Sequence, residues 1–434
     1  MKGRAWHNYD VVVVGGGPSG TAAAIAASRM GAKTLVVEQQ GCLGGMASSG
    51  MVVPHFEAHR CGISLEITER MTSLGAWATH NWETSYDPEI WKIVTEHMLM
   101  EAGGDILYHT FFTDVSKSGD SIEYITAANK SGMMEIRGRY FIDCTGDGDV
   151  AFKAGVPFEK GSPQTGKMQP MTMMFRLDNV EYEQQDENQL YNDVREACDK
   201  SGSEFNLPYN RPWVINLPAR GHAVLMLTHI YGADATDAVD LTRAEIEGRR
   251  QALEAWTFLK QYVKGFEKSN LVCTASHVGI RETRRFKGEY VLAGGDIKNA
   301  KRFEDVIALS RFPIDIHETD KNGQINLPLE RDYEIPYRSL LPLGCKNLLL
   351  SGRNISGTHE AHASYRVKGT AMAIGQAGGT AAALAAGEGV ALRDIPVKRL
   401  QEILQADMVN LGRDGDINSV EIRNFPEGCR LMGK

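Results

Sequence analysis

The chain has 434 residues, enough for two or three domains or one large domain with an insertion. Its 42% hydrophobic and 24% charged content is that of an ordinary globular protein, far from disordered or collagen-like chains. A net charge of −8, without any Lys/Arg run, argues against a nucleic-acid binder. The seven cysteines (Cys42, Cys61, Cys144, Cys198, Cys273, Cys345 and Cys429) show no CxxC or zinc-ligand spacing, so they read as reduced thiols rather than a disulfide framework.

At the start of the chain, Val11 to Val14 is too short for a signal-peptide core or a membrane span. The Ala-rich stretch Thr370 to Ala386 is broken by Gly375, Gly378 and Gly379, so the expectation is a cytoplasmic protein without a membrane anchor. Residues 10–38 then read as a buried β-run, a glycine turn, an Ala-rich helix and a second β-run ending in an acid. In this βαβ unit Gly15 permits the tight turn, Gly17 lets backbone approach a pyrophosphate, and Gly20 allows close helix–strand packing. Glu38 ends the second strand where a carboxylate can hydrogen-bond a ribose. Dinucleotide contacts are therefore expected at Gly15, Gly17, Pro18, Ser19, Gly20 and Glu38. A second glycine-rich loop follows, with Gln39, Gly44, Gly45 and Met46 as further candidates, and it suits a long cofactor passing close to backbone. Cys42 in that loop reads as a small apolar turn residue, with a covalent flavin or redox thiol as the rival reading.

Downstream, Asp87-Pro88-Glu89 opens a helix to about Ala102, and residues 106–142 read as strands separated by Ser-Gly and Lys-Ser-Gly turns. Residues 176–210 are polar, as expected of a surface excursion. Thr242 to about Phe266 predicts an amphipathic helix with a Thr242/Glu245 capping box and a core stripe of Ile246, Leu253, Trp256, Leu259, Val263 and Phe266. The methionines at 168, 171, 173 and 174 read as packing. A short helix, Val397 to Leu404, precedes a polar tail.

Four further patches carry a resemblance: FIDCTGDGDVA (141–151), GIRETRRFKGEY (279–290), IPYRSLLP (335–342) and LLLSGRNISGTHEAHASYRVKGTAMAIGQAGGTAA (348–382). With the βαβ unit they resemble the FAD-dependent oxidoreductases of the glutathione-reductase-like superfamily, in the branch of fumarate reductase and succinate dehydrogenase flavoproteins. The resemblance implies an α/β fold: a Rossmann-type FAD-binding domain from residues 1–155 and 336–390, an inserted α+β substrate domain over 156–335, and a C-terminal helix and tail over 391–434. It adds Thr145, Gly146, Asp147, Gly352, Arg353, Gly369, Thr370 and Ala371 to the expected FAD contacts. It also implies that the helix beginning near Lys368 points its positive dipole at the flavin. Two departures stand out: there is no second GxGxxG in a βαβ context and no CxxxxC redox pair.

For chemistry, His359-Glu-Ala-His362 lacks zincin spacing and has Arg366 nearby, so no metal is expected. Its position before the last flavin helix implies that His359 and His362 line the pocket as donors or a general acid/base; the bland alternative is structural loop polarity. Arg281, Arg284, Arg285 and Arg366 form a basic set, of which Arg281 and Arg366 are the candidates for a substrate carboxylate. A solvated basic face accounts for Arg284 and Arg285 equally well. The expected activity is hydride transfer between a small polar, anionic organic substrate and flavin N5, with His359, His362, Arg366 and Arg281 as catalytic residues. Two alternatives stay open: an NAD(P)H- and O2-using flavin monooxygenase, and a non-catalytic flavin-binding or electron-transfer protein. The electron donor or acceptor, and homo-oligomerisation, stay open as well.

Overall fold

A computed structural model describes residues 8–80, 83–186, 188–203, 205–320 and 323–412. Cys429 and most of the polar tail lie outside the described residues. The apolar runs seen in the sequence become strands buried on both faces, as a parallel sheet requires. In chain order the strands are β1 (Tyr9–Val14), β2 (Thr34–Val37), β3 (Asp105–Leu107), β4 (Phe111–Ser118), β5 (Ser121–Asn129), β6 (Gly132–Asp143) and β7 (Leu348–Leu350); the buried runs are β1, β2, β7 and the end of β6, while β3, β4, β5 and the start of β6 keep exposed or half-buried positions. The parallel part runs β3-β2-β1-β6-β7, with Val14 beside Val37 and Asp143, and Asp143 beside Leu350. Strand β6 has two roles. Its first half pairs antiparallel with β5, which pairs with β4, and its second half enters the parallel sheet.

Two helices cover one another against this sheet. The opening helix Pro18–Arg29 follows β1 and the closing helix Lys368–Glu388 follows β7. They approach so closely that a Cβ at Gly375 would lie 2.1 Å from the Ser19 carbonyl oxygen, and one at Gly379 would lie 2.0 Å from that of Ala23. Two of the three glycines that interrupt the apolar stretch, Gly375 and Gly379, are therefore the helix–helix contact. Among the described residues no helix is long and apolar enough to cross a membrane.

Between these parts lies a four-stranded antiparallel sheet in the order Trp213–Asn216, Ala223–Met226, Phe175–Asp178, Asn270–Thr274. The long helix Ala238–Tyr262 packs on it and starts earlier than expected. Asp237, not Thr242, is its cap, accepting from the Val239 and Asp240 N–H groups (2.9 and 3.0 Å). The expected core stripe is corrected too. Leu259, Val263 and Phe266 are buried, but Ile246 is 62% and Leu253 52% exposed. The inward face is made of Ala244, Gly248, Gln251, Ala252 and Ala255, because Gly248 sits where a Cβ would be 2.7 Å from that of Met173. Small residues let this helix come close, and closeness turns the larger residues out. The helices Pro88–Glu101 and Val397–Ala406 and the strands of 105–143 fall as the sequence predicts.

Candidate active site

The carboxyl ends of β1, β2, β6 and β7, together with Thr110 just beyond β3, open onto one cavity of about 1410 Å³. That is the crevice where an open α/β sheet places its ligand. Its volume exceeds the roughly 300–1,000 Å³ of an ordinary small-molecule pocket. There is room for a dinucleotide and a second molecule.

At the sheet end the wall contains Gly15, Gly17, Pro18, Ser19, Glu38, Gln39, Gly45, Met46, Thr145, Gly146, Asp147, Gly352, Arg353 and Ala371. Gly15 has φ +96°, and a Cβ there would meet the Cys144 carbonyl oxygen at 2.5 Å, so the tight turn admits only glycine. The opening helix has Gly17 as its cap, no side-chain cap bond and no acid in its first turn. Its N-terminal N–H groups therefore suit an anion from the cavity. Glu38 is oriented from behind. Gly16 N–H donates to Oε2 (2.6 Å) and Gln40 N–H to Oε1 (2.7 Å), while burial pushes its carboxyl up and these amides pull it back. Asp143, fully buried and pushed up to about 6 by burial, accepts from Thr145 N and Oγ1 and from Ala151 N, which shapes the turn carrying Thr145 to Asp147. Asp147 accepts from Arg353 and from Thr283 Oγ1 (2.7 Å), tying that turn to the 279–290 segment.

Four expected cofactor residues stand behind the wall rather than on it. Gly20 abuts Gly15 O, and Gly44 N–H donates to Gly16 O (2.7 Å), joining the two glycine loops. Gly369 packs on Glu57 O, and the Thr370 hydroxyl bonds Ser310 Oγ (2.9 Å). Cys42 is also off the wall, with Ser49 Oγ at 3.3 Å from its sulfur. Lys368, in the first turn of the closing helix, donates to Val52 O (2.7 Å), Pro54 O (3.3 Å) and the Tyr86 hydroxyl. It therefore fixes the 52–54 wall, and burial holds its ammonium well below the usual lysine range.

At the other end the four expected catalytic residues separate into two pairs. Arg281 and Arg366 line the cavity; His359 and His362 do not. His359 is buried with Nδ1 2.7 Å from Glu282 Oε1, and Glu282 also holds Arg285. The His362 side chain is fully buried, and burial together with the nearby cations Arg285 and Arg366 keeps it neutral. The expectation that these histidines line the pocket is thus corrected: the short helix His359–Tyr365 turns both inward, against the 282–285 segment.

The imidazoles that do line the cavity are His277 and His317. His317 was missed in the sequence. It lies on the strand Ile314–His317, whose alternation puts Asp315 and His317 on one face. Asp315 accepts from Arg366 NH2 (3.0 Å) and from Gln324, and faces His317 Nε2 at 3.5 Å. The other His317 nitrogen is 3.0 Å from His229 Nε2, and His229 stacks on Tyr209 with ring centres 4.1 Å apart. Burial, then Arg281, holds His317 down to about 4. Arg281 donates NH1 to Pro170 O and Thr172 Oγ1 (both 2.7 Å), while among the described residues NH2 has only Met226 Sδ at 3.9 Å. Burial and the neighbouring Arg366 lower its guanidinium to about 10.

A glycine-capped helix, an oriented acid and a large crevice at the ends of a parallel sheet define a dinucleotide-binding enzyme. The family described as FAD dependent oxidoreductase matches residues 10–404, and this chain belongs to it. FAD is accordingly its cofactor, and the cradle above fits that group. One segment of the chain is similar to dihydrolipoyl dehydrogenase of Trypanosoma brucei brucei, 54% identical over 46 residues, 11% of this chain and 10% of that one. A segment is also similar to soluble pyridine nucleotide transhydrogenase of Chromohalobacter salexigens, 44% identical over 50 residues, 12% of this chain and 11% of that one. The chain spans about a tenth of the length of the first curated relatives it matches. A solved triple mutant of the flavin-dependent brominase Bmp2 shares the fold, with a TM-score of 0.50 at 11% identity over 92% of this chain and 84% of that one.

Proposed function

We propose that this FAD-dependent oxidoreductase exchanges a hydride with an anionic organic substrate, with residues 1–155 and 336–390 holding the cofactor and 156–335 supplying most of the substrate end. The observation that carries this reading is the pair Arg281 and Arg366 on the wall of one cavity with the glycine cradle. Gly15, Gly17, Ser19, Glu38, Gly45, Met46, Thr145, Gly352 and Arg353 would hold FAD, which when bound supplies a two-electron acceptor. Arg281 and Arg366 bind and orient the substrate carboxylate, with Asp315 fixing the Arg366 fork. His317 handles the accompanying proton. Its imidazole is neutral in the unliganded site, partly through Arg281 and Arg366. A bound carboxylate offsets the charge of Arg281, Arg366 being already paired with Asp315, so substrate arrival raises the affinity of His317 for a proton.

The test is anaerobic. A panel of organic acids is mixed with the FAD-loaded protein and loss of oxidised-flavin absorbance is followed. Arg366→Ala should keep its FAD and slow bleaching at least ~100-fold, about 2.7 kcal/mol of transition-state stabilisation. Loss of FAD from that variant would assign Arg366 to the cofactor instead. Anaerobic bleaching by NAD(P)H and by none of the organic acids, with O2 consumed when NAD(P)H is added in air, would replace this reading with a monooxygenase.

A further inference from the structure

We propose that the substrate end of the cavity is built for an aromatic carboxylate, an inference that rests on Arg281 and Arg366 forming an anion site. Three rings from separate segments converge on the wall: Phe56 from the loop after the second glycine turn, Trp213 from the antiparallel sheet, and Phe312 from the entry to the Asp315 strand. Phe56 stacks on Trp213 with centroids 5.9 Å apart and planes 23° apart, and meets Phe312 at 5.3 Å and 49°. All three keep part of their surface open although they stand inside a cavity. Large apolar surface left accessible in a concave wall is the mark of a ligand face.

This shelf is joined to the cations. The Phe56 carbonyl accepts from Gly369 N (3.2 Å), three residues beyond Arg366, and Phe312 is three residues before Asp315, which holds Arg366. Arg281, whose NH2 lies 3.9 Å from the sulfur of Met226, the strand partner of Trp213, has no carboxylate partner among the described residues. One end of the cavity therefore offers a charge to be neutralised and rings to be covered. A short dicarboxylate satisfies the first and strands its second carboxylate against the rings, where it loses water without gaining a partner. A cationic aromatic meets two guanidinium groups. An aromatic ring bearing one carboxylate answers both features, because rings gain from stacked and edge-on geometry beyond the area they cover.

The experiment titrates the FAD-loaded protein with benzoate, cyclohexanecarboxylate and succinate, read by perturbation of the oxidised-flavin absorbance and, independently, by thermal shift. Benzoate is expected to bind roughly threefold to tenfold tighter than cyclohexanecarboxylate, with succinate weaker than both. Phe56→Leu should bring the first two towards equality. Equal binding of benzoate and cyclohexanecarboxylate to the unaltered protein, or tighter binding of succinate, overturns the aromatic assignment and leaves the anion site standing. Absence of binding by all three in both readouts overturns the anion site with it.

Discussion

Glu38 and His317 show how differently single residues announce themselves. Glu38 was legible because one strand, one turn and one helix, all contiguous, determine where the second strand ends. The chain then orients it through Gly16 and Gln40. Glu38→Ala should weaken FAD binding by about 1.5–3 kcal/mol, the value of a hydrogen bond to a charged group. Equilibrium dialysis of FAD measures this, and unchanged affinity would mean that another residue reads the ribose. His317 was not legible, since Ile-Asp-Ile-His is the pattern of any half-buried strand. Its character comes first from burial and then from Arg281 and Arg366, placed by elements 36 and 49 residues away. Sequence adjacency to the closing helix pointed instead to His359 and His362; it located their neighbourhood but not the side of the short helix from which they project.

The depressed His317 also has a stability consequence. Because its folded pKa of about 4 lies below the ordinary 6.5, the unfolded chain binds the proton first as pH falls. Stability is retained above pH 6.5 and lost progressively down to about 4. Between pH 6.5 and 5 this single group accounts for a loss of about 1.5 kcal/mol. His317→Gln should flatten the fall by that amount in urea titrations at the two pH values. An unaltered slope would show that the group does not titrate in this window. Binding an anion beside Arg281 and Arg366 should move the His317 ionisation upward, so the acid limb of kcat, where protonation of His317 stops turnover, should lie at higher pH than that of kcat/KM.

At the level of elements, glycine position within a helix decides between cost and gain. Gly375 and Gly379 touch the opening helix, whereas Gly378 has no atom closer than 3.7 Å to an added Cβ. Gly375→Ala should cost about 1–3 kcal/mol by forcing the two backbones apart. Gly378→Ala should instead stabilise by up to about 1 kcal/mol through helix propensity. Thermal melts of the two variants make the comparison, and equal destabilisation would refute the assigned contact. The family resemblance implied this helix, and sequence patterning found the long helix Ala238–Tyr262. It misjudged the face of the latter because periodicity weighs large apolar residues, while the backbone approach at Gly248 is set by the smallest ones. The result is Val239, Ile246 and Leu253 facing outward at 77%, 62% and 52% exposure.

For the whole molecule, the fold class was readable because the patches of the parallel domain are local and ordered along the chain, whereas the antiparallel sheet between them rests on pairings without a motif. The parallel sheet is nonetheless assembled from distant parts: Phe141 of β6 lies beside Leu348 of β7, roughly two hundred residues later. That separation sets a waiting time during synthesis. At ~5–20 residues per second the ribosome takes roughly 10–40 s to deliver β7 after β6 has emerged. Throughout that interval β6 presents an unpaired apolar edge, a template for association with other nascent chains. A chain ending at residue 340 is therefore expected to aggregate and to retain no FAD when purified, although it contains the whole first glycine motif. Yellow, monomeric protein from such a chain would show that the edge is protected by other means.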